Sequence, residues 1–228
     1  MQRVVVFTGA GVSAESGLRT FRDSDGLWEQ YRVEDVATPQ AWQRDKALVL
    51  RFYDERRAQV IAAQPNAAHE AIARLQERFD VHVITQNIDD LHERAGSRTV
   101  LHLHGEILKA RSTADPTLVI RFTGSSLRSG DRCPLGSQLR PHIVWFGEEV
   151  PMMEEAAMIM ASADRVLVVG SSLNVYPAAG LIHYAPKHAP MVLIDPKPVA
   201  VARQGLRVLK DTAAAGVPAL VEEWLSEA

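Results

Sequence analysis

Four short apolar runs constrain this chain more than any other feature: residues 4–7, 81–84, 165–169 and 191–194. Each is rich in Val, Ile or Leu without strict alternation. That is the pattern of a strand covered on both faces, as in a parallel sheet. Each gives way at once to glycine or polar residues: Thr8-Gly9-Ala10-Gly11, Thr85-Gln86-Asn87, Gly170-Ser171-Ser172 and Asp195-Pro196. Chemistry-bearing residues therefore collect where strands end, and open α/β sheets bind ligands there. Helical patterns lie between. Residues 66–79 place Ala68, Ile72, Leu75 and Phe79 on one stripe, with Asn66 as N-cap after Pro65. Residues 40–62 read as one longer helix, and residues 217–226 as a last helix starting near Pro218.

Two segments break this rhythm. Residues 22–40 are charged and aromatic, and residues 110–140 carry Pro116, Gly124, Gly130, Pro134 and Gly136 around one predicted strand over 118–122. The expected architecture is an α/β fold: a Rossmann-like parallel sheet lobe (1–22, 65–109, 141–228) with a smaller inserted lobe (23–64, 110–140). Composition narrows the class further. Lys plus Arg is 25 against 28 Asp plus Glu, a net charge of −3, which argues against nucleic acid as a partner. Cys133 is the only cysteine, so no intrachain disulfide and no multi-cysteine zinc site can form. No apolar run approaches the roughly 20 residues that cross a bilayer. The opening apolar run is too short for a signal peptide, so a cytoplasmic protein away from membranes is expected.

Gly9-Ala10-Gly11-Val12-Ser13-Ala14 follows the first strand and matches a variant of the dinucleotide fingerprint. A tight strand-to-helix turn would give the same residues. A hydride-transfer enzyme needs a second strand ending in an acid about 20 residues on. Here Phe21-Arg22-Asp23-Ser24-Asp25 follows no apolar strand, so a dinucleotide fits and a standard dehydrogenase layout does not.

Extended to Arg22, this segment resembles the sirtuin signature Gly-Ala-Gly-x-Ser-x-x-Ser-Gly-Ile-Pro-x-Phe-Arg. Thr85-Gln86-Asn87-Ile88-Asp89-Asp90-Leu91-His92, Leu103-His104-Gly105, Pro141-His142-Ile143-Val144-Trp145-Phe146-Gly147-Glu148 and Gly170-Ser171-Ser172-Leu173-Asn174-Val175-Tyr176-Pro177 resemble the family's other motifs, in family order. The resemblance implies an NAD-dependent protein-lysine deacylase. The acyl group moves from lysine to ADP-ribose, nicotinamide leaves, and no hydride moves. It also implies the roles that follow. His104 is the general base, a task that suits an imidazole titrating near neutrality. Asn87 and Asp89 serve the nicotinamide ribose and carboxamide. Gly9, Ala10, Gly11 and Ser13 line the diphosphate turn. Phe21 and Arg22 cover the cofactor, and Gln86 and Ile88 adjoin the ribose. Gly170, Ser171, Ser172, Asp195, Pro196, Lys197 and Ala213 hold the adenosine side. Val144, Phe146, Gly147 and Glu148 pair as a strand with substrate backbone, a β-addition mode. His102 is expected to be structural.

Tyr53 and Arg56 lie three apart in a helical run, so they share a face. They match the Tyr-x-x-Arg pair of the sirtuin class that takes acidic acyl groups. Arg can bind a succinyl or malonyl carboxylate bidentately while Tyr adds a donor. The competing reading is a charged solvent face with Asp54 and Glu55 paired to Arg57. Relatives hold zinc with two cysteine pairs, and here Ser112, Asp115, Cys133 and Gly136 stand at those positions. Zinc is not expected, and Leu118, Ile120, Phe122 and Leu135 are expected to hold the lobe by packing. Acylated-lysine proteins or peptides are the expected partners of a monomer. ADP-ribosyl transfer and a non-catalytic NAD or ADP-ribose sensor remain as alternatives.

Overall fold

The computed structural model describes residues 1–18, 31–122, 124 and 126–227. In chain order its elements are β1 (Arg3–Thr8), α1 (Val33–Val36), α2 (Pro39–Arg44), α3 (Lys46–Ala62), α4 (Ala67–Arg74), β2 (Asp80–Thr85), α5 (Leu91–Arg94) and β3 (Val100–His102). Then come β4 (Gly105–Ser112), β5 (Val119–Arg121), β6 (Leu139–Ile143), α6 (Met153–Ala161), β7 (Arg165–Val169), β8 (Met191–Ile194), β9 (Leu206–Leu209) and α7 (Ala213–Glu227). Six strands form one sheet in the order β3-β2-β1-β7-β8-β9, all parallel. The other three form a separate antiparallel sheet, β5-β4-β6.

Alternating side chains of the large sheet build a core on each face. Val4, Val6, Val83, Leu167 and Ile194 pack under α4 and α7, against Ile72, Val217, Leu220 and Trp224. Val5, Phe7, Ile84, Val168 and Leu193 pack the opposite way, against Met160 of α6 and Leu181 and Ile182 of a following 3₁₀ turn. Each fully buried side chain of this kind is worth about 1.5–3 kcal/mol. A third core joins α1–α3 to the small sheet through Phe52, Tyr53, Ile107, Leu139 and Trp145. Leu118, Ile120 and Phe122 pack against it as expected, but Leu135 is exposed and holds nothing.

Two helix boundaries differ from expectation, each for a visible reason. The pattern over 40–62 breaks at Asp45, whose carboxylate accepts the Leu48 N–H at 2.9 Å and caps α3. The last helix starts at Ala213, and Pro218 sits inside it. Its N-terminus is capped from across the chain: Glu15 accepts the Ala214 N–H at 2.8 Å and the Thr212 hydroxyl at 3.0 Å.

The strand order reverses between β1 and β7, the crevice where doubly wound sheets bind ligands. There the turn after β1 touches the turn after β7. The Gly9 and Gly11 N–H groups donate to Val169 O (3.0 Å) and Gly170 O (2.9 Å). A Cβ on Gly11 would lie 2.6 Å from Gly170 Cα, and Gly170 has φ +58°, so the contact depends on glycine at both positions.

Candidate active site

β1 and β2 end side by side at Thr8 and Thr85, both fully buried. The Thr8 hydroxyl donates to Thr85 Oγ1 at 2.8 Å, and Thr85 Oγ1 also accepts the Asn87 N–H at 3.0 Å. Just beyond lies Ser13, also buried, at the centre of a polar network. His69, at the third position of α4, accepts the Asn66 N–H on Nδ1 at 3.3 Å. Its proton therefore sits on Nε2, which donates to Ser13 Oγ at 3.4 Å. Asn87 Nδ2 donates to the same oxygen at 3.1 Å, and Ser13 donates onward to Asp89 Oδ2 at 3.1 Å. The serine thus makes all three hydrogen bonds a hydroxyl can make. Burial pushes Asp89 up from the usual carboxylate range, and hydrogen bonds from the Leu91 N–H and Ser13 oppose the shift. Burial also pushes His69 down to about 4 and holds His92 well below the usual imidazole value.

The link from β3 to β4 carries two histidines with different partners. His104 Nδ1–H donates to Gln86 O at 2.9 Å. Its Nε2 makes no hydrogen bond among the described residues. Burial lowers its pKa against the opposing effect of that Gln86 bond, so it is neutral at pH 7 with a free lone pair. His102 Nδ1–H donates to Asn87 O at 3.0 Å, and its Nε2 is taken by Glu93 at 2.7 Å. Burial lowers the His102 pKa, but the Glu93 carboxylate outweighs it and leaves a net rise. One imidazole keeps an acceptor nitrogen, and the other donates from both of its nitrogens.

The residues expected on the adenosine side follow β7 and β8. Gln86 Nε2 reaches Ser171 Oγ at 2.9 Å, so the ends of β2 and β7 are tied together. Asp195 Oδ1 accepts the Lys197 N–H at 2.7 Å across Pro196. Ser172 is half-buried beside Ser171. Ala10 lies in the 3₁₀ turn between Gly9 and Gly11, and Ala213 is buried with Val12 in the core. Ile88 is half-buried, its carbonyl accepting the Ile107 N–H at 2.8 Å. Phe21 and Arg22 lie outside the described residues.

Across from this network, α3 does not present a charged solvent face. Tyr53 and Arg57 are buried, and Arg57 donates to Ile107 O at 3.0 Å and Asp54 at 2.5 Å. Asp54 also accepts the Leu127 N–H and the Ser126 hydroxyl, which fastens the small lobe to α3. The expected Asp54–Arg57 pair is present, buried rather than on a surface. Burial raises the Tyr53 phenol, and the Arg56 cation is the largest opposing influence. Arg56 is itself lowered by burial and held up by Tyr53 and Asp89, so its charge reaches both the lobe and the sheet network.

The segment 144–148 follows the last strand of the small sheet. The β6 ladder ends at Ile143, so no strand runs through these residues. The Val144 N–H is held by His104 O at 2.9 Å and the Phe146 N–H by Ala37 O at 3.0 Å. Gly147 turns with φ +89°, and Phe146 is exposed. Glu148 is occupied within the protein. It accepts from Arg140 at 2.7 Å and 3.1 Å, from Arg111 at 3.1 Å and from the Trp145 N–H at 2.8 Å. These bonds hold its carboxylate against both arginines and the turn. Sequence reasoning missed His69, Arg140 and Trp145, because a helical histidine, a strand arginine and an apolar tryptophan give no local sign of distant partners.

Of the positions that hold cysteine in relatives, Ser112 and Cys133 bond each other and the neighbouring Ser137. Cys133 Sγ is 3.3 Å from Ser112 Oγ and 3.1 Å from Ser137 Oγ, and the two hydroxyls are 2.8 Å apart. Those hydroxyls pull the thiol down to about 7. Asp115 turns to the Thr117 N–H and hydroxyl, at 2.9 Å and 2.7 Å. One thiol among hydroxyls does not fit the tetrahedral Cys and His chemistry of structural zinc.

A parallel α/β protein with a glycine turn at its switch point and a free imidazole base beside it belongs to the nucleotide-binding enzymes by fold and site. Residues 9–177 match the Sir2 family. An NAD-dependent protein deacylase of Bacteroides thetaiotaomicron is 50% identical over 226 residues, which is 96% of this chain and 97% of that protein. One from Vibrio cholerae is 46% identical over 233 residues, 99% of this chain and 94% of that protein. A solved Sir2 homologue–NAD complex superposes with TM-score 0.90 at 38% identity, over 99% of this chain and 90% of that chain. A Sir2 complex with a deacetylated p53 peptide and 3′-O-acetyl ADP-ribose gives TM-score 0.82 at 30% identity, over 96% and 92%. The chain belongs to the Sir2, or sirtuin, family.

Proposed function

We propose that this enzyme is an NAD-dependent protein-lysine deacylase whose pocket takes succinyl and malonyl groups as well as acetyl. The observation that carries the catalytic part is the pairing of a neutral, oriented His104 with the Ser13–Asn87–Asp89 network at the sheet's switch point. NAD fits this crevice because the close Gly11–Gly170 contact brings the turns after β1 and β7 together at the sheet's switch point, where doubly wound sheets bind dinucleotides. Bound there, it would supply an electrophilic ribose carbon and the hydroxyls that receive the acyl group. Gly9, Ala10, Gly11 and Ser13 would hold its diphosphate side, and Gln86, Ser171, Ser172, Asp195, Pro196 and Lys197 its adenosine side. Asn87 and Asp89 offer an amide and a carboxylate to ribose hydroxyls and a carboxamide. His104 Nε2 takes the proton from a ribose hydroxyl, and the Gln86 carbonyl stabilises the imidazolium through Nδ1–H.

Acidic-acyl preference rests on Arg56 and Tyr53, a cation and a phenol on one face of α3, buried enough to discriminate. Val144, with the turn at Phe146 and Gly147 and with Glu148 after it, would meet the substrate main chain. Zinc has no part in this reading. The test supplies NAD with acetyl- or succinyl-lysine peptide and follows nicotinamide, acylated ADP-ribose and NADH absorbance. Acylated ADP-ribose without NADH is the expected result. Arg56→Met should lose succinyl turnover and spare acetyl turnover, and equal losses on both would sink the acidic-acyl assignment.

A further inference from the structure

The wall behind Tyr53 holds more hydrogen-bond donors than acceptors. Trp145 is almost fully buried, wedged between Trp42 (ring centroids 5.7 Å apart) and the Arg140 guanidinium, 3.2 Å over its ring. Its backbone N–H is satisfied by Glu148. Its indole N–H is not: buried Trp145 Nε1 has no hydrogen-bond partner among the described residues, and neither has buried Arg140 Nε. Indole donors normally find a partner when buried, so two such orphans in one cluster are a cost the fold carries without visible return.

The Glu148 carboxylate beside these groups already takes hydrogen bonds from Arg140, Arg111 and the Trp145 backbone. The phenol of Tyr53 adjoins the indole and feels the Arg140 charge. The indole N–H lies close enough to oppose the upward shift of the phenol, yet completes no hydrogen bond of ordinary geometry. With a cation and an N–H beside its oxygen, the phenol must direct its own proton elsewhere. A surplus of donors around one point calls for a ligand group that only accepts, and an ionised carboxylate is such a group.

We infer that Trp145 is a specificity-determining residue of the acyl pocket: its indole N–H donates, beside Tyr53 and Arg56, to the terminal carboxylate of an acidic acyl-lysine, and Arg140 is the positioning residue that holds the ring there. This rests on the acidic-acyl reading above. An acetyl group brings no acceptor to that point and does not use the donor.

The experiment compares wild type, Arg56→Met and Trp145→Phe on succinyl- and acetyl-lysine peptides, with KM and kcat measured separately. Phe keeps the ring packed against Arg140 and removes only the donor. The succinyl KM should rise about tenfold, as expected for a hydrogen bond to a charged group, with the acetyl KM within about twofold. Equal changes on both peptides, or none, would overturn the inference while Arg56→Met still reports on the acidic-acyl reading. If wild type ignores succinyl peptide, that reading fails instead. Should Trp145→Phe fold poorly, ¹⁵N–¹H spectra of the wild-type indoles decide. The Trp145 N–H resonance should move downfield with succinyl peptide and stay in place with acetyl peptide, and identical responses would again overturn the assignment.

Discussion

The two banks of the cleft manage buried polarity in opposite ways. On the sheet bank, Thr8, Thr85, Ser13, Asn87, His69 and His92 are neutral hydrogen-bonding groups, and burial keeps both imidazoles uncharged. On the lobe bank, guanidinium and carboxylate groups are buried in pairs, Arg57 with Asp54 and Arg111 and Arg140 with Glu148. Neutral networks lose one hydrogen bond at a time when broken. Charge clusters fail abruptly, because removing one member leaves the others buried and uncompensated. The sheet bank is therefore where chemistry can be removed with the fold intact. The lobe bank is where stability is at stake.

The sharpest separation comes from His104→Ala against Glu148→Ala. The first should lower kcat/KM about 10²–10⁴-fold with an unchanged melting temperature, because a positioned base contributes that much and His104 makes one backbone contact. The second should cost about 3–5 kcal/mol in denaturant unfolding, because Arg140 and Arg111 would lose their shared partner. Ser13→Ala, on the neutral bank, should cost only about 1–3 kcal/mol. If Ser13→Ala proved the more destabilising, the contrast between the banks would be wrong.

Proton linkage gives a second, smaller separation. His69 is near 4 in the folded protein and near its ordinary value when unfolded, so the unfolded state binds more protons between those values. Its contribution is complete above about pH 6.5 and is lost as pH falls toward 4, up to about 3 kcal/mol. His102 has the opposite sign. Its folded pKa is raised, so its pairing with Glu93 is complete below the ordinary histidine value and is lost as pH rises through the folded one. His69→Gln should flatten the acid limb of stability measured by urea titration, and Glu93→Gln should flatten the limb above neutrality. An unchanged acid limb in His69→Gln would mean that His69 is not buried neutral.

The sheet bank was largely legible in the sequence, since its strands are continuous apolar runs and its ligands follow them directly. Asn87, Asp89, His104 and Ser171 all stand within a few residues of a strand end. β9 was missed because it is an edge strand whose residues are half-buried or exposed, so no apolar run marks it. The start of α7 was misplaced because its cap is Glu15, from the far end of the chain, while Pro218 imitates a first helical residue. The lobe bank was legible only in Tyr53 and Arg56. The roles of Arg57, Arg140, Glu148 and Trp145 depend on pairings between α3, β4, β6 and the turn after it. Local periodicity carries no trace of such pairings.

The smallest expected effect lies farthest from the chemistry and completes the contrast. Ser112, Cys133 and Ser137 form a cluster of two hydroxyls and a thiol inside the lobe that otherwise relies on ion pairs. If these hydrogen bonds and the packing of Leu118, Ile120 and Phe122 hold the segment, a hydroxyl can stand in for the thiol. Cys133→Ser should then shift stability by about 1 kcal/mol or less and leave peptide turnover unchanged. A metal-bound thiolate would behave otherwise: its loss would release metal and unfold the segment, since structural zinc supplies folding energy directly. Metal analysis of the purified enzyme and melting with and without chelator decide between the two. Near-stoichiometric zinc, or a chelator-dependent drop in melting temperature that Cys133→Ser reproduces, would make this cluster a metal site and leave the lobe with no hydroxyl-based counterpart to the sheet bank.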